Sequence, residues 1–341
     1  MKKFYLICTM ILLSFSAFNQ VTITSDQIWT NKDDPDSINQ RSGNWRDGIT
    51  ISNGATLVID CSSVLIENDR TFKMRSGSSI TVSVGAKLII ENAIITSDGG
   101  SSWGGIIVNG NPYAPQTVIG QNRTQGFLIL CHNTKIENAS TAVFVHGGGV
   151  ILASNTSFSE CITSIYFETY GDYVTAVPYD NLSFIKDCYF YNSNDTSLIV
   201  NNPLNQFIYA KGISLRIEGC DFNYINDYGQ DKISGVGIFC WNSKLLIRRS
   251  LSYNNIPVSC QRNGQINTFE NLEFGIYFYI NKLLYVSTSP PKSLVLQSKF
   301  KNCRVGVYEQ NSEGSHIYKC QFKFEDDFQP EGNISNLIHY H

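Results

Sequence analysis

The residues able to act on a polymeric substrate are few and scattered. Asp187 and Asp221 stand beside Cys188 and Cys220 in two segments of matching pattern, and Arg248-Arg249 follow in a third. Two carboxylates with a neighbouring base or Arg form the set used for acid–base attack on a glycosidic bond or abstraction of a sugar proton. By strand alternation all three side chains point outward, where a groove or a solvated face would hold them. The adjacent acids Asp33-Asp34 and Asp326-Asp327 fall outside the repeated segments. His132, His146, His316, His339 and His341 show no ligand or triad spacing with a second His or an acid, and no Cys-x-x-Cys occurs. The expectation is therefore no metal and no cofactor.

Tyrosines are denser. Tyr166, Tyr170, Tyr173 and Tyr179 fall in one stretch with Glu168, Asp172 and Asp180; Phe207 and Tyr209 fall in a second, Tyr224 and Tyr228 in a third. Exposed Tyr rings suit sugar stacking or a protein surface, and the competing use is to pack on one another and cover the fold. Read as loops leaving the same corner of successive repeats, these stretches should cluster. Tyr166, Tyr170, Tyr173, Tyr179 and Tyr209 are the candidate ligand-binding residues.

The elements that would position them follow from composition and repetition. The chain has 341 residues, 42% hydrophobic and 16% charged, so it should fold around a sizeable core. A net charge of -3 without a basic run argues against nucleic-acid binding through phosphate neutralisation. Lys2 and Lys3 precede an apolar run from Tyr5 to Phe18, too short to span a bilayer but suited to a secretory signal over residues 1–20, with Ser14, Ser16 and Ala17 as the cleavage zone. No later run is long enough for a transmembrane span. The expected address is the cell surface or the extracellular space, with the periplasm as the alternative.

Stacking the chain on itself gives a repeat. Gly54-Ala55-Thr56-Leu57-Val58-Ile59 matches Gly85-Ala86-Lys87-Leu88-Ile89-Ile90. Further on, aligned units give one column of Ile136, Phe158, Phe190, Phe222, Tyr253, Phe300 and Phe322. Two residues earlier runs Thr134, Thr156, Cys188, Cys220, Leu251, Ser298 and Cys320; three residues later runs Ala139, Cys161, Ser193, Ile225, Ile256 and Cys303. Asn dominates the position just before that last column, as a turn in the left-handed region favours. Second strands follow at Ala142-Val143-Phe144, Ser164-Ile165-Tyr166, Gly275-Ile276-Tyr277 and Gly306-Val307-Tyr308. Coils of about twenty residues that stack like on like predict an all-β parallel β-helix with irregular loop insertions. An antiparallel sandwich has similar short strands but would not repeat one inward residue type at one place in successive units. The reading divides the chain into a signal (1–20), a lead-in (21–43), the β-helix (44–325) and a tail (326–341). Cysteines in shared inward columns read as buried thiols rather than a disulfide framework.

On Asn44-Trp45, the two Gly-Ala-x-Leu-x-Ile runs, Trp103-Gly104-Gly105-Ile106-Ile107-Val108 and the Asn155-to-Ile165 rung, residues 44 to 325 resemble right-handed parallel β-helix proteins secreted by Bacteroidetes-type bacteria, within the pectate-lyase-like solenoids. The resemblance implies the fold strongly and the function weakly, because the matching residues are packing residues. Two functions are expected from it and from the Tyr stretches. The first is an exported, non-enzymatic adhesin-like scaffold that binds polysaccharide or another surface protein. The alternative is a polysaccharide lyase or glycoside hydrolase working in a groove along the solenoid through Asp187, Asp221 and Arg248. Catalytic relatives of this fold use calcium-binding acids with a basic residue, or a Gly-His-Gly motif, and the latter is absent from this sequence.

Overall fold

The computed structural model describes residues 21–29, 45–61, 70–172, 177–193, 205–225, 235–251, 264–279, 292–310, 315–323 and 338–340, except positions 53, 100, 117, 120, 121 and 179. Short β-branched runs between turns make strands of three to seven residues, and each coil of chain visits three sheets in order. Among the described residues sheet 1 holds eleven strands, sheet 2 ten and sheet 3 nine, and in all three every strand pairs in parallel with those of the adjacent coils. A parallel ladder that advances one coil at a time through three sheets, wound with the right-handed sense of β crossovers, is a right-handed parallel β-helix.

Columns of like residues fill the interior. In sheet 1, Ile49, Ile80, Ile106, Val143, Ile165, Ile208, Ile238, Ile276 and Val307 stack in register. In sheet 2 the column is Ile59, Ile90, Leu130, Ala153, Ile185, Ile217, Ile247 and Val295, and Trp29 closes its lower end with no exposed surface. In sheet 3, Phe158, Phe190, Phe222, Phe269, Phe300 and Phe322 stack ring on ring at 4.7–5.0 Å and within 10° of parallel. That spacing equals the separation of paired strands, so the rings meet simply because the coils do.

Three details correct the sequence reading. The fifth position of the column is Phe269, not Tyr253, and Asn267 rather than Leu251 continues the Thr/Cys column, with its Oδ1 accepting the Cys220 amide at 2.9 Å. The segment 249–266 enters between sheets 2 and 3 of that coil, so the sheet 3 strand starts later than constant spacing implied. The sheets also begin within the expected lead-in, since Val21–Ile23 and Gln27–Trp29 already pair with Ile49–Ile51 and Thr56–Asp60.

The corners follow simple rules. Between sheets 2 and 3 the turn in several coils uses one left-handed residue, among them Asn92, Asn155, Asp187 and Gln297. Between sheets 3 and 1 it uses Asn138, Glu160, Asn271 and Asn302, as the Asn column implied. Gly105, after Trp103, has φ +95, and a Cβ there would lie 1.7 Å from the Thr141 carbonyl, so no larger residue fits the Trp-Gly-Gly step. The eight described cysteines are in no disulfide with one another, and seven are buried. Burial pushes the Cys161 and Cys303 thiols up to about 12, which keeps them protonated and inert.

Candidate functional site

Sheet 1 carries its chemistry on the outside. Its strands place Ile or Val inward, and the next residue of each points out. On consecutive coils these outward residues are Phe144, Tyr166, Tyr209, Phe239, Tyr277 and Tyr308, in unbroken register. Tyr166 and Tyr209 stack at 4.6 Å and 9°, and Tyr209 and Phe239 at 5.2 Å and 17°. Beyond Phe239 the packing turns edge-on: Tyr277 meets Phe239 at 77° and Tyr308 at 85°. Two residues along each strand runs a second outward column of His146, Glu168, Lys211, Trp241, Tyr279 and Gln310. Trp241 is 36% exposed and leans on Tyr279 at 5.0 Å. His146 Nδ1 contacts the Glu168 carboxylate, and the Tyr277 hydroxyl donates to Gln310 Oε1 at 2.6 Å. An apolar aromatic strip is thus edged by a line of donors and acceptors. Burial pushes the Tyr209 phenol up to about 12, with Tyr166 adding to the effect, and raises Tyr166 and Tyr277 as well. All three remain neutral hydrogen-bonding groups at ordinary pH.

Of the five tyrosines singled out by sequence, Tyr166 and Tyr209 lie on this strip. They sit in the strands Thr163–Phe167 and Gln206–Lys211 rather than in loops. Tyr170 does not face solvent: it is 3% exposed, lies against Gly148, and donates its hydroxyl to the Ala114 carbonyl at 3.1 Å. Tyr173, Tyr179 and Tyr228 lie outside the described residues. The stretches do not share one corner. The first joins sheet 1 to sheet 2, whereas the segments 194–205 and 226–235 join sheet 3 to sheet 1. Phe207 and Tyr224 are buried and line a shallow slot with no room for a small molecule.

Asp187, Asp221 and Arg248 are brought to one place, the corner between sheets 2 and 3, but not as an open groove. Asp187 is the left-handed corner residue, 1% exposed, and accepts a hydrogen bond from Ser250 Oγ at 3.2 Å. The neighbouring outward column of sheet 2 runs Lys186, Glu218, Arg248 in register. Sequence reading missed Lys186 and Glu218, both completely buried. Arg248 Nε donates to Glu218 Oε1 at 2.8 Å, and Lys186 Nζ donates to the Leu251 carbonyl at 2.5 Å and lies 3.8 Å from Asp187. Ser250, Leu251 and Gln265, at the two roots of the 249–266 insertion, all touch this cluster. Outward by alternation therefore does not mean solvated here: the insertion's roots cover the charges. Gly219 completes the fit, since with φ +60 its Cβ would sit 2.6 Å from Asp187 Oδ1. Burial lowers the Lys186 pKa, opposed by Asp187 and Glu218. Burial also raises that of Asp221, opposed by hydrogen bonds from Thr268 and Gln265. Another convergence of reactive side chains, Glu91 with Cys131 and His132, is one the His spacing did not signal.

No known protein-family model and no curated sequence matches the chain. Among solved structures it is similar to a PL6 alginate lyase in complex with a trisaccharide, at 9% identity and a TM-score of 0.28, covering 89% of this chain and 78% of that one. It is also similar to PfbA, a surface adhesin of Streptococcus pneumoniae, at 11% identity and a TM-score of 0.18, covering 87% and 91%. The fold stands on the three parallel sheets and their in-register columns. Among the described residues no helix is long and apolar enough to cross a membrane.

Proposed function

We propose that the mature chain is an exported, non-enzymatic β-helix scaffold, of the kind secreted by Bacteroidetes-type bacteria, that binds an extended polysaccharide along the outer face of sheet 1. The observation that supports this reading is the unbroken ladder from Phe144 to Tyr308 with its polar edge. Six rungs at about 4.8 Å make a strip of about 24 Å, the shape of a polymer track rather than a pocket. Ring edges and the tilted Trp241 and Tyr279 offer apolar contact to sugar C–H groups, while Lys211, Glu168, His146 and Gln310 offer partners for hydroxyls.

The alternative, a lyase or hydrolase, draws on the cluster of Lys186, Asp187, Glu218, Asp221 and Arg248. Burial counts against it, because Lys186, Asp187 and Glu218 expose at most 1% of their surface and no substrate oxygen reaches them. The test is a glycan array probed with the chain from Val21 onward, each bound glycan then being incubated and examined for shorter products and for the absorbance of unsaturated sugars. Binding without products is expected. Products from any glycan would overturn the non-enzymatic reading, and binding to a protein partner alone would replace polysaccharide as the ligand.

A further inference from the structure

At the corner between sheets 2 and 3, three donors of different chemistry converge. Cys131 Sγ lies 3.3 Å from His132 Nδ1 and 3.5 Å from Glu91 Oε1, and His132 Nδ1 lies 3.7 Å from Glu91 Oε2. Glu91 and Cys131 are in register on neighbouring coils of sheet 2. They belong to the outward column that carries Lys186 and Glu218 further along, two coils away from that cluster.

The backbone at this corner differs from its neighbours. In three other coils one left-handed residue joins the two sheets: Asn92 between Glu91 and Ala93, Asn155 between Ser154 and Thr156, Asp187 between Lys186 and Cys188. Between Cys131 and Thr134 there are two, His132 with φ 54 and Asn133 with φ 60. Asn133 fills the ordinary place, its amide donating to the Asn155 carbonyl at 2.9 Å as the Asn92 amide donates to that of Cys131 at 3.3 Å. His132 is the added residue. Its side chain is 28% exposed and that of Glu91 29%, while Cys131 is buried at 7%.

We propose that Glu91, Cys131 and His132 form a binding site for a borderline-soft divalent cation such as Zn²⁺. One sulfur, one imidazole nitrogen and one carboxylate oxygen are the donors that zinc accepts. With a Zn–S bond of about 2.3 Å and Zn–N and Zn–O bonds of about 2.0–2.1 Å, a tetrahedral ion spaces its donors about 3.3–3.6 Å apart. The Cys131 Sγ–His132 Nδ1 and Cys131 Sγ–Glu91 Oε1 separations, 3.3 and 3.5 Å, fall within that spacing, while Glu91 meets His132 through its other oxygen, Oε2, at 3.7 Å, so the carboxylate has to turn slightly to present one oxygen to both. The partial exposure of His132 and Glu91 leaves the fourth position facing solvent, where water completes the shell. Asp60, in register with Glu91 on the preceding coil, adds negative potential beside it. Binding replaces the Cys131 S–H proton by the metal and releases that proton to solvent, so affinity rises with pH.

The test uses the mature chain, stripped with a chelator and titrated with Co²⁺ and then Zn²⁺. One equivalent of Co²⁺ is expected to give a thiolate-to-cobalt charge-transfer band in the near ultraviolet, and Zn²⁺ is expected to abolish it. Cys131→Ser should remove the band. His132→Asn should weaken binding by about tenfold or more, and Asn is at home in the left-handed region. Deleting His132 restores the corner length of the other coils, so this variant should fold with an unchanged melting temperature and lose the band. No thiolate band in the natural chain, or a band that survives in Cys131→Ser and in the His132 deletion, would overturn the site.

Discussion

Tyr166 and Tyr209 stack at 4.6 Å and 9°, although the whole 168–205 segment separates them in the chain. Their contact is fixed by the register of the strands beneath, Ile165 on Ile208, and not by the intervening residues. A double-mutant cycle of Tyr166→Ala and Tyr209→Ala in urea unfolding should return a coupling of about 0.5–1.5 kcal/mol. Additive losses would show that the two rings are neighbours without an energetic link.

Phe222 lies between Phe190 and Phe269, each 4.7 Å away, and has no exposed surface. Phe222→Ala should cost about 3–5 kcal/mol. Phe322, on the last described coil and only partly buried, should cost less than half of that. Equal losses would contradict a solenoid in which each coil draws its stability from both neighbours.

The buried Lys186 is held among Asp187, Glu218 and the Leu251 carbonyl. Lys186→Met leaves the carboxylates of Asp187 and Glu218 buried without that ammonium and should cost about 3–5 kcal/mol in chemical denaturation. Lys301→Met, which breaks a half-buried pair with Glu270, should cost about 0–1 kcal/mol. A small loss at Lys186 would mean the cluster is open to water, which would return the groove to consideration as a catalytic site.

Asp221 gives a pH signature. Burial raises its pKa above the ordinary 3.8, so the folded chain keeps a proton that the unfolded chain releases. The folded state then binds more protons, and stability falls as pH rises from about 3.8 through the raised value. Asp221→Asn removes this titration, and its melting temperature should decline less than that of the natural chain across the same window. Parallel profiles for the two proteins would contradict the assignment.

Much of this fold can be read from sequence because a β-helix writes its register into columns. The Phe stack, the Asn corners and the seven-residue step from Phe158 to Ile165 all reflect coils of constant size. Tyr253 fits the column by spacing yet Phe269 occupies it, because the insertion 249–266 falls before the sheet 3 strand of its coil and spacing alone does not tell before from after. Phe144, Tyr166, Tyr277 and Tyr308 all end strand motifs legible in the sequence, whereas Tyr209 follows a stretch of Asn and Pro that reads as a loop and so hides the ladder. Local density of Tyr drew attention to Tyr170, whose ring packs against Gly148. Lys186 and Glu218 carry no mark in sequence that separates a covered charge from a solvated one; their burial comes from chain that inserts two coils after Lys186 and one after Glu218. His132 was passed over for a related reason. It is one added residue in a corner, and its partners are the preceding residue and Glu91 on the coil below.

The central claim is that the outer face of sheet 1 binds polysaccharide. The most direct measurement is the affinity of an array-identified glycan for the natural chain and for the variant Tyr209→Ala/Trp241→Ala/Tyr277→Ala, with Arg248→Ala as the comparison. The account predicts a loss of about tenfold or more in the aromatic variant, with the far-ultraviolet spectrum of the β-helix retained, and little change in Arg248→Ala. Undiminished binding by the aromatic variant, or loss confined to Arg248→Ala, would contradict it.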